Sequence, residues 1–554
     1  MRLNLSKLKL KFKFIGKKDE EKEEEIWPFK KDVCQTLEEA IKEHPYLASY
    51  IENLPEPPKY ILDPTWETYG GEVNIIYPVG LGIYVHIYSG AEMSLYYLIE
   101  PEKPSAELLD AVEDAVARLV EDKDYAGERE KVLASLFWKA VKKKMVKIPK
   151  GQEANVLYYF LRERAGHGFI DGFLADPWLE DISIPGEGNV FVFHKVFGPL
   201  ETNVVVSRSE IDKLLRSIAE RYGKVLSYTN PIIDIHLPDG SRFNIVFGED
   251  ISPRGSNFTI RKFSKEPISV AQLINWKTMS PELAAYLWML LEIGISAFIC
   301  GETASGKTTT LNAITCFINS DAKIVSIEET PEVNILHKNW VRELTRLHTG
   351  AQVTMFDLLK AALRQRPDYI IVGEIRGEEG RIAFQAIETG HPVLSTMHAG
   401  TLGQLFQRLT SDPINVPKTH IDGLNLALFQ ARIEREGKLI RRVTSVNEII
   451  GYEPSEGKLN YIPAFLYDAD IDQHRFMGTS YLFETKLLEF RGWGKERLRE
   501  LYDEMMVRAK ILKILSEKSP RYVDVWRTVV SVQRFGPWEV YRKLKAEKHG
   551  NTRG

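Results

Sequence analysis

The spacing of apolar residues changes several times along this chain, and each change predicts an element. From about residue 33 to 55 apolar positions recur at helical intervals. From about 59 to 100 the period shortens to that of strands, including Asn74-Ile75-Ile76-Tyr77-Pro78 and Gly82-Ile83-Tyr84-Val85-His86-Ile87-Tyr88. The stretch 104–165, rich in Ala, Leu, Glu and Lys, predicts helix. Ile182-Ser183-Ile184, Val190-Phe191-Val192-Phe193-His194, Asp234-Ile235-His236 and Phe243-Asn244-Ile245-Val246 predict strands, with a helix near 208–222 among them. Elements mixed in this order predict an α+β region ending near Phe263. His86, His194 and His236 sit on its apolar strands and read as structural histidines rather than ligands. Ser264-Lys265-Glu266-Pro267 reads as a hinge.

Beyond the hinge, short unbroken apolar runs take over. Residues 295–300, Lys323-Ile324-Val325-Ser326-Ile327, Tyr369-Ile370-Ile371-Val372 and Pro392-Val393-Leu394 each lead into polar residues and then a helical pattern. Ser280-Pro281-Glu282 opens one helix with an N-cap, a proline at the first position and an early acid, and Thr354 caps another that begins at Met355. Alternating strand and helix predicts an α/β, doubly wound, mainly parallel sheet whose ligands lie at the carboxyl ends of the strands. The most apolar segment, 283–300, is broken by Glu292, Gly294 and Ser296, so it reads as a buried helix and strand rather than a membrane span.

The run 295–300 feeds straight into Gly301-Glu302-Thr303-Ala304-Ser305-Gly306-Lys307-Thr308-Thr309, with a helical pattern from Thr308 to Phe317. This is Gly-x-x-x-x-Gly-Lys-Thr in its strand–loop–helix setting, a P-loop. The glycines turn successive backbone N–H groups toward phosphate oxygens, and the helix N-terminus adds partial positive charge. Lys307 is expected to neutralise the β- and γ-phosphates of ATP, and the Thr308 hydroxyl to hold Mg²⁺. Glu374 ends the 369–372 strand, Glu332 lies just past the 323–327 strand beside Glu328 and Glu329, and His398 ends the strand that begins at Pro392. All three polar groups fall at the rim where the P-loop lies.

Composition is that of an ordinary globular chain, 44% hydrophobic and 27% charged, with a net charge of −4. That balance gives no general attraction to nucleic acid. Cys34, Cys300 and Cys316 form no Cys-x-x-Cys pair, which excludes a zinc ribbon and a disulfide framework and points to a reducing cytosol. The first residues lack the apolar core of a secretory signal. There Lys alternates with apolar residues from Lys7 to Phe14 and an acidic run follows from Asp19 to Glu25. This reads as a solvated tail or as a basic amphipathic contact with a membrane or an acidic partner, and the sequence leaves both open.

The motifs between residues 301 and 399 together resemble those of the secretion ATPase superfamily, the RecA-like motors of type II and type IV secretion, type IV pili and archaella. Residues 301–308 match its Walker A loop. Ile327-Glu328-Glu329-Thr330-Pro331-Glu332 resembles its Asp box, with Glu329 where Asp is usual and Glu332 at the catalytic carboxylate. Ile371-Val372-Gly373-Glu374-Ile375-Arg376-Gly377 matches its atypical Walker B, and Glu388-Thr389-Gly390-His391-Pro392-Val393-Leu394-Ser395-Thr396-Met397-His398-Ala399 its His box. The resemblance implies Glu332 as polariser of the attacking water, Glu374 with Thr308 as Mg²⁺ organisers, and His391 and His398 near the γ-phosphate. It also implies Arg242 and Arg261 as arginines lent to the nucleotide by the N-terminal domain, with Arg254 and Arg408 as weaker candidates. No four-cysteine module follows the His box, and both the long N-terminal region and Phe490-Arg491-Gly492-Trp493-Gly494 resemble the archaeal branch.

The expected organisation is a charged tail (1–32), an N-terminal α+β and helical region (33–150), an α+β domain (151–263), a hinge (264–268), a RecA-like P-loop NTPase motor domain (269–480) and a helical C-terminal segment (481–554). The resemblance further implies a cytoplasmic homohexamer at the inner face of the cell membrane, driving archaellum or archaeal type IV pilus assembly through a polytopic membrane platform protein. A RecA-like nucleic-acid translocase or helicase is the alternative; it requires a basic, aromatic-lined channel and salt-sensitive binding.

Overall fold

The computed structural model describes residues 33–64, 72–89, 94–119, 129–263, 266–346, 352–435 and 438–550. The charged tail and Ser264-Lys265 of the expected hinge lie outside these residues. The chain divides between Lys262 and Phe263 into two compact units.

In the first unit a ten-stranded sheet is built from β1 (Lys59–Tyr60), β2 (Val73–Gly80), β3 (Ile83–Ser89), β4 (Ser94–Ile99), β5 (Leu179–Ile184), β6 (Gly188–His194), β7 (Gly198–Val206), β8 (Ile232–His236), β9 (Arg242–Val246) and β10 (Asn257–Arg261), in the order β1-β2-β3-β4-β7-β6-β5-β10-β9-β8. The segments expected as separate regions, 33–150 and 151–263, therefore share one sheet, joined where β4 pairs parallel with β7. The alternation of side chains across the pleat explains the pattern along the sequence. Ile76 and Tyr84 face the helices Leu37–Glu43 and Pro45–Glu52, whereas Ile75, Tyr77, Val85 and Ile87 face the main core with Ile211, Leu215 and Ile218 of the helix Arg208–Arg221. Strands covered on both faces read as continuous apolar runs, and β9 and β10, covered on one face, alternate. His86 and His194 are buried and hydrogen-bonded to Tyr50 and Tyr77, and burial lowers both to about 4. His236 is exposed, on the face of β8 opposite to buried Ile233 and Ile235.

The second unit carries a nine-stranded sheet: β11 (Ala297–Gly301), β12 (Ile324–Glu328), β13 (Trp340–Leu344), β14 (Tyr369–Val372), β15 (Val393–Met397), β16 (Leu426–Arg435), β17 (Lys438–Glu453), β18 (Lys458–Asp468) and β19 (Gln473–Phe476), in the order β13-β12-β14-β15-β11-β16-β17-β18-β19. Pairing is parallel from β13 to β16 and antiparallel beyond. Ile299, Ile324, Ile371 and Leu394 enter one core with the helices Pro281–Glu292 and Leu498–Lys518. Phe298, Val325, Ile370 and Val393 enter the other, with the helices Met355–Ala362, Glu379–Glu388 and Leu402–Thr410. The sheet is covered on both sides, as the unbroken runs predicted, and this is a RecA-like P-loop NTPase fold with helices at the C-terminus. The hairpins β16–β19 and the edge strand β13, in which charges interrupt the apolar positions, were not legible as strands. Among the described residues no helix is long and apolar enough to cross a membrane.

Candidate functional site

The site is assembled at the carboxyl ends of β11, β12, β14 and β15. β11 ends at Gly301, and the helix Lys307–Ile314 begins six residues on, after Gly306 at φ 92° and Ala304 at φ 61°. A Cβ on Gly301 would fall on the carbonyl oxygen of Gln430, its register partner on β16, and one on Gly306 would lie 2.9 Å from the Gln430 Nε2. The first is a backbone-to-backbone approach that only glycine allows. Gln430 itself is buried: its Nε2 donates to the Ser305 carbonyl at 2.7 Å and its Oε1 accepts from Thr310 Oγ1 at 2.7 Å. The Arg441 Nε donates to the Ala304 carbonyl at 3.1 Å. Neither Gln430 nor Arg441 belongs to a motif, and no local signal in the sequence could have found them.

Lys307 follows the loop and is 8% exposed, with its Nζ donating to the Glu302 carbonyl at 2.9 Å. Burial lowers its pKa, and Glu374 and then Glu332 are the carboxylates that oppose the shift. Thr308 and Thr309 lie in the first turn of the helix. Glu374 follows β14 by two residues; its Oε2 accepts from Arg376 at 2.6 Å, and its Oε1 lies 3.1 Å from His398 Nε2, just past β15. Burial first, and then Lys307, lowers the pKa of His398, against the opposing pull of Glu374. Lys307 and Arg376 thus each lie within electrostatic reach of both Glu332 and Glu374, His398 lies within reach of Lys307, Glu374 and Arg376, and Arg408 acts on His398 from the helix Leu402–Thr410.

Glu328, at the end of β12, is 1% exposed and pushed up to about 7 by burial. Its Oε1 accepts the backbone N–H of Glu332 at 2.8 Å and of Val333 at 2.7 Å. A Cβ on Gly373 would stand 3.3 Å from its Cγ, so the Gly of the Gly-Glu pair makes room for this carboxylate.

One expectation fails. His391 lies at the amino end of β15, with its Nδ1 3.2 Å from Thr389 Oγ1 and its N–H on the Ala386 carbonyl. Because β15 runs parallel to β11, that end belongs to the opposite edge of the sheet from the P-loop. The two histidines of one motif flank a whole strand and cannot share a rim. Arg242 and Arg261 belong to the first unit, where they are register partners across β9 and β10; Arg242 Nε donates to Asp234 Oδ1 at 3.2 Å. Arg254 lies in the loop before β10, where its carbonyl accepts from the Glu187 N–H.

The donor set fits a nucleotide: a turn of backbone N–H groups at a helix N-terminus, a buried lysine and carboxylates that follow neighbouring strands. The profile of the family described as Type II/IV secretion system protein matches residues 183–422. Uncharacterized protein MJ0900 of Methanocaldococcus jannaschii is 43% identical over 512 residues, 86% of this chain and 93% of that one. Conjugal transfer protein TrbB of Rhizobium radiobacter is 31% identical over 287 residues, covering 50% of this chain and 86% of its own. The Legionella pneumophila ATPase DotB has a solved structure that aligns with 64% of this chain and 95% of its own, at 19% identity and a TM-score of 0.38. With its P-loop rim and this kinship along most of its length, the chain belongs to the type II/IV secretion ATPase superfamily.

Proposed function

We propose that this ATPase is the motor of an archaellum or archaeal type IV pilus, working as a homohexamer on a polytopic membrane platform protein at the cytoplasmic face of the membrane. The observation that carries the catalytic part is the P-loop turn with buried Lys307 at the carboxyl ends of the parallel strands where Glu374, two residues past β14, and Glu332, in the segment that follows its neighbour β12, also lie. Lys307 and the loop amides bind the triphosphate. Glu332 takes the proton of the attacking water as its oxygen bonds to the γ-phosphorus, and the bond to the β–γ bridging oxygen breaks, releasing ADP and phosphate. Thr308 and Glu374 would hold Mg²⁺, which supplies charge neutralisation at the phosphates. Arg376, donating to Glu374 Oε2 at 2.6 Å, orients that carboxylate, with His398 3.1 Å from its other oxygen.

The long relationship to the Methanocaldococcus protein supports the archaeal branch. Glu332→Gln and Glu374→Gln should each retain ATP binding and lose hydrolysis by about 10²–10⁴-fold, whereas Lys307→Ala should weaken binding itself. Turnover retained in both glutamine variants would refute the assignment.

A further inference from the structure

The segment that presents Glu332 has no secondary structure of its own: between β12 and β13, residues 331–337 belong to no helix or strand. Its backbone groups must therefore find partners elsewhere, and they find side chains. The Glu332 and Val333 N–H groups donate to Glu328 Oε1. The Glu332 carbonyl accepts from Asn312 Nδ2 at 2.8 Å, and the Asn334 N–H donates to Asn312 Oδ1 at 3.0 Å. The Val333 carbonyl accepts from Arg342 Nη2 at 2.9 Å, and Arg342 Nε lies 3.5 Å from Glu328 Oε2. Asn312 sits on the P-loop helix, five positions after Lys307, and is 8% exposed. Its amide orientation is fixed, because a backbone N–H can meet only the oxygen.

We infer that Asn312, backed by Glu328 and Arg342, is a positioning residue for hydrolysis: it clamps the backbone of Glu332 to the helix that carries Lys307, so that carboxylate and phosphate grip move as one body. The inference rests on Glu332 being the residue that activates water. Loss of the clamp leaves Lys307 and the loop amides in place but lets the carboxylate drift, and a displacement of about 1 Å costs roughly 10²-fold in rate.

The test uses the full chain, measuring steady-state ATP hydrolysis beside equilibrium binding of a fluorescent ATP analogue and the thermal midpoint. Asn312→Ala removes both bonds. Asn312→Asp is nearly isosteric, keeps the acceptor for the Asn334 N–H and sets an oxygen against the Glu332 carbonyl, so it carries the test should the alanine variant not fold. Either variant should lower kcat by about 10- to 100-fold while the analogue's Kd stays within about twofold of wild type, a split that a merely structural loss would not produce. Wild-type kcat in a folded variant overturns the inference, as does a Kd that weakens in proportion to kcat. Glu332→Gln measured in parallel separates the two claims: if it still turns over, the reading of Glu332 fails; if it is dead while the Asn312 variants hydrolyse normally, only the clamp fails.

Discussion

Gln430 offers the sharpest check on how the phosphate loop is held. It reaches from β16 into the loop and bonds both Ser305 and Thr310, each 0% exposed. Gln430→Leu keeps the volume and removes both bonds. The Thr310 hydroxyl can turn to the carbonyl one helical turn back and recover its share. The Ser305 carbonyl has no such recourse, and a buried acceptor left unsatisfied costs about 1–3 kcal/mol. That cost falls on the binding conformation of the loop, so the competent fraction falls and apparent Kd rises by the same factor, about 5- to 150-fold. Titration of a fluorescent ATP analogue against Gln430→Leu reads it directly, with far-ultraviolet circular dichroism confirming the fold. Thr310→Val serves as the milder control. Wild-type affinity in a folded Gln430→Leu protein would show that the loop holds its shape without β16 and refute a bracing role for Gln430.

Two further outcomes follow from packing and burial. Gly301→Ala places a methyl group on the Gln430 carbonyl oxygen, where both sides are backbone and neither can yield; a thermal midpoint lowered by the equivalent of about 1–3 kcal/mol, with impaired nucleotide binding, is expected. Glu328 carries a pKa raised from 4.5 to about 7, so the folded chain keeps a proton that the unfolded chain has released. Its contribution is therefore fully present below pH 4.5 and lost as pH rises through 7, a change of about 3 kcal/mol. Glu328→Gln has no such titration, and its stability relative to wild type should rise between pH 5 and pH 8 in urea or thermal unfolding; a fall over that range would contradict the burial argument.

Local chemistry made much of the motor domain legible. The unbroken runs that became β11, β12, β14 and β15 announce a sheet covered on both faces, and Gly301 to Lys307 announces a phosphate loop wherever strand and helix flank it. The capping residues Ser280 and Thr354 fix helix starts because their side chains satisfy N–H groups only a few residues away. The His box, read as one unit, placed His391 beside His398, and only the observed extent and direction of β15 separated them. β13, β16 and β17 were hidden because an edge strand or a partly exposed hairpin tolerates charges at positions a buried strand cannot.

What the sequence determined by itself was every feature whose cause lies within a few residues: element type, caps, the phosphate loop and the carboxylates that end the strands. The tertiary structure alone decided which distant side chains hold that rim together, Gln430 across β16 and Asn312, Glu328 and Arg342 around Glu332. Buried backbone groups outside helices and strands must be satisfied by whatever side chain the fold brings near, and that choice leaves no spacing to read.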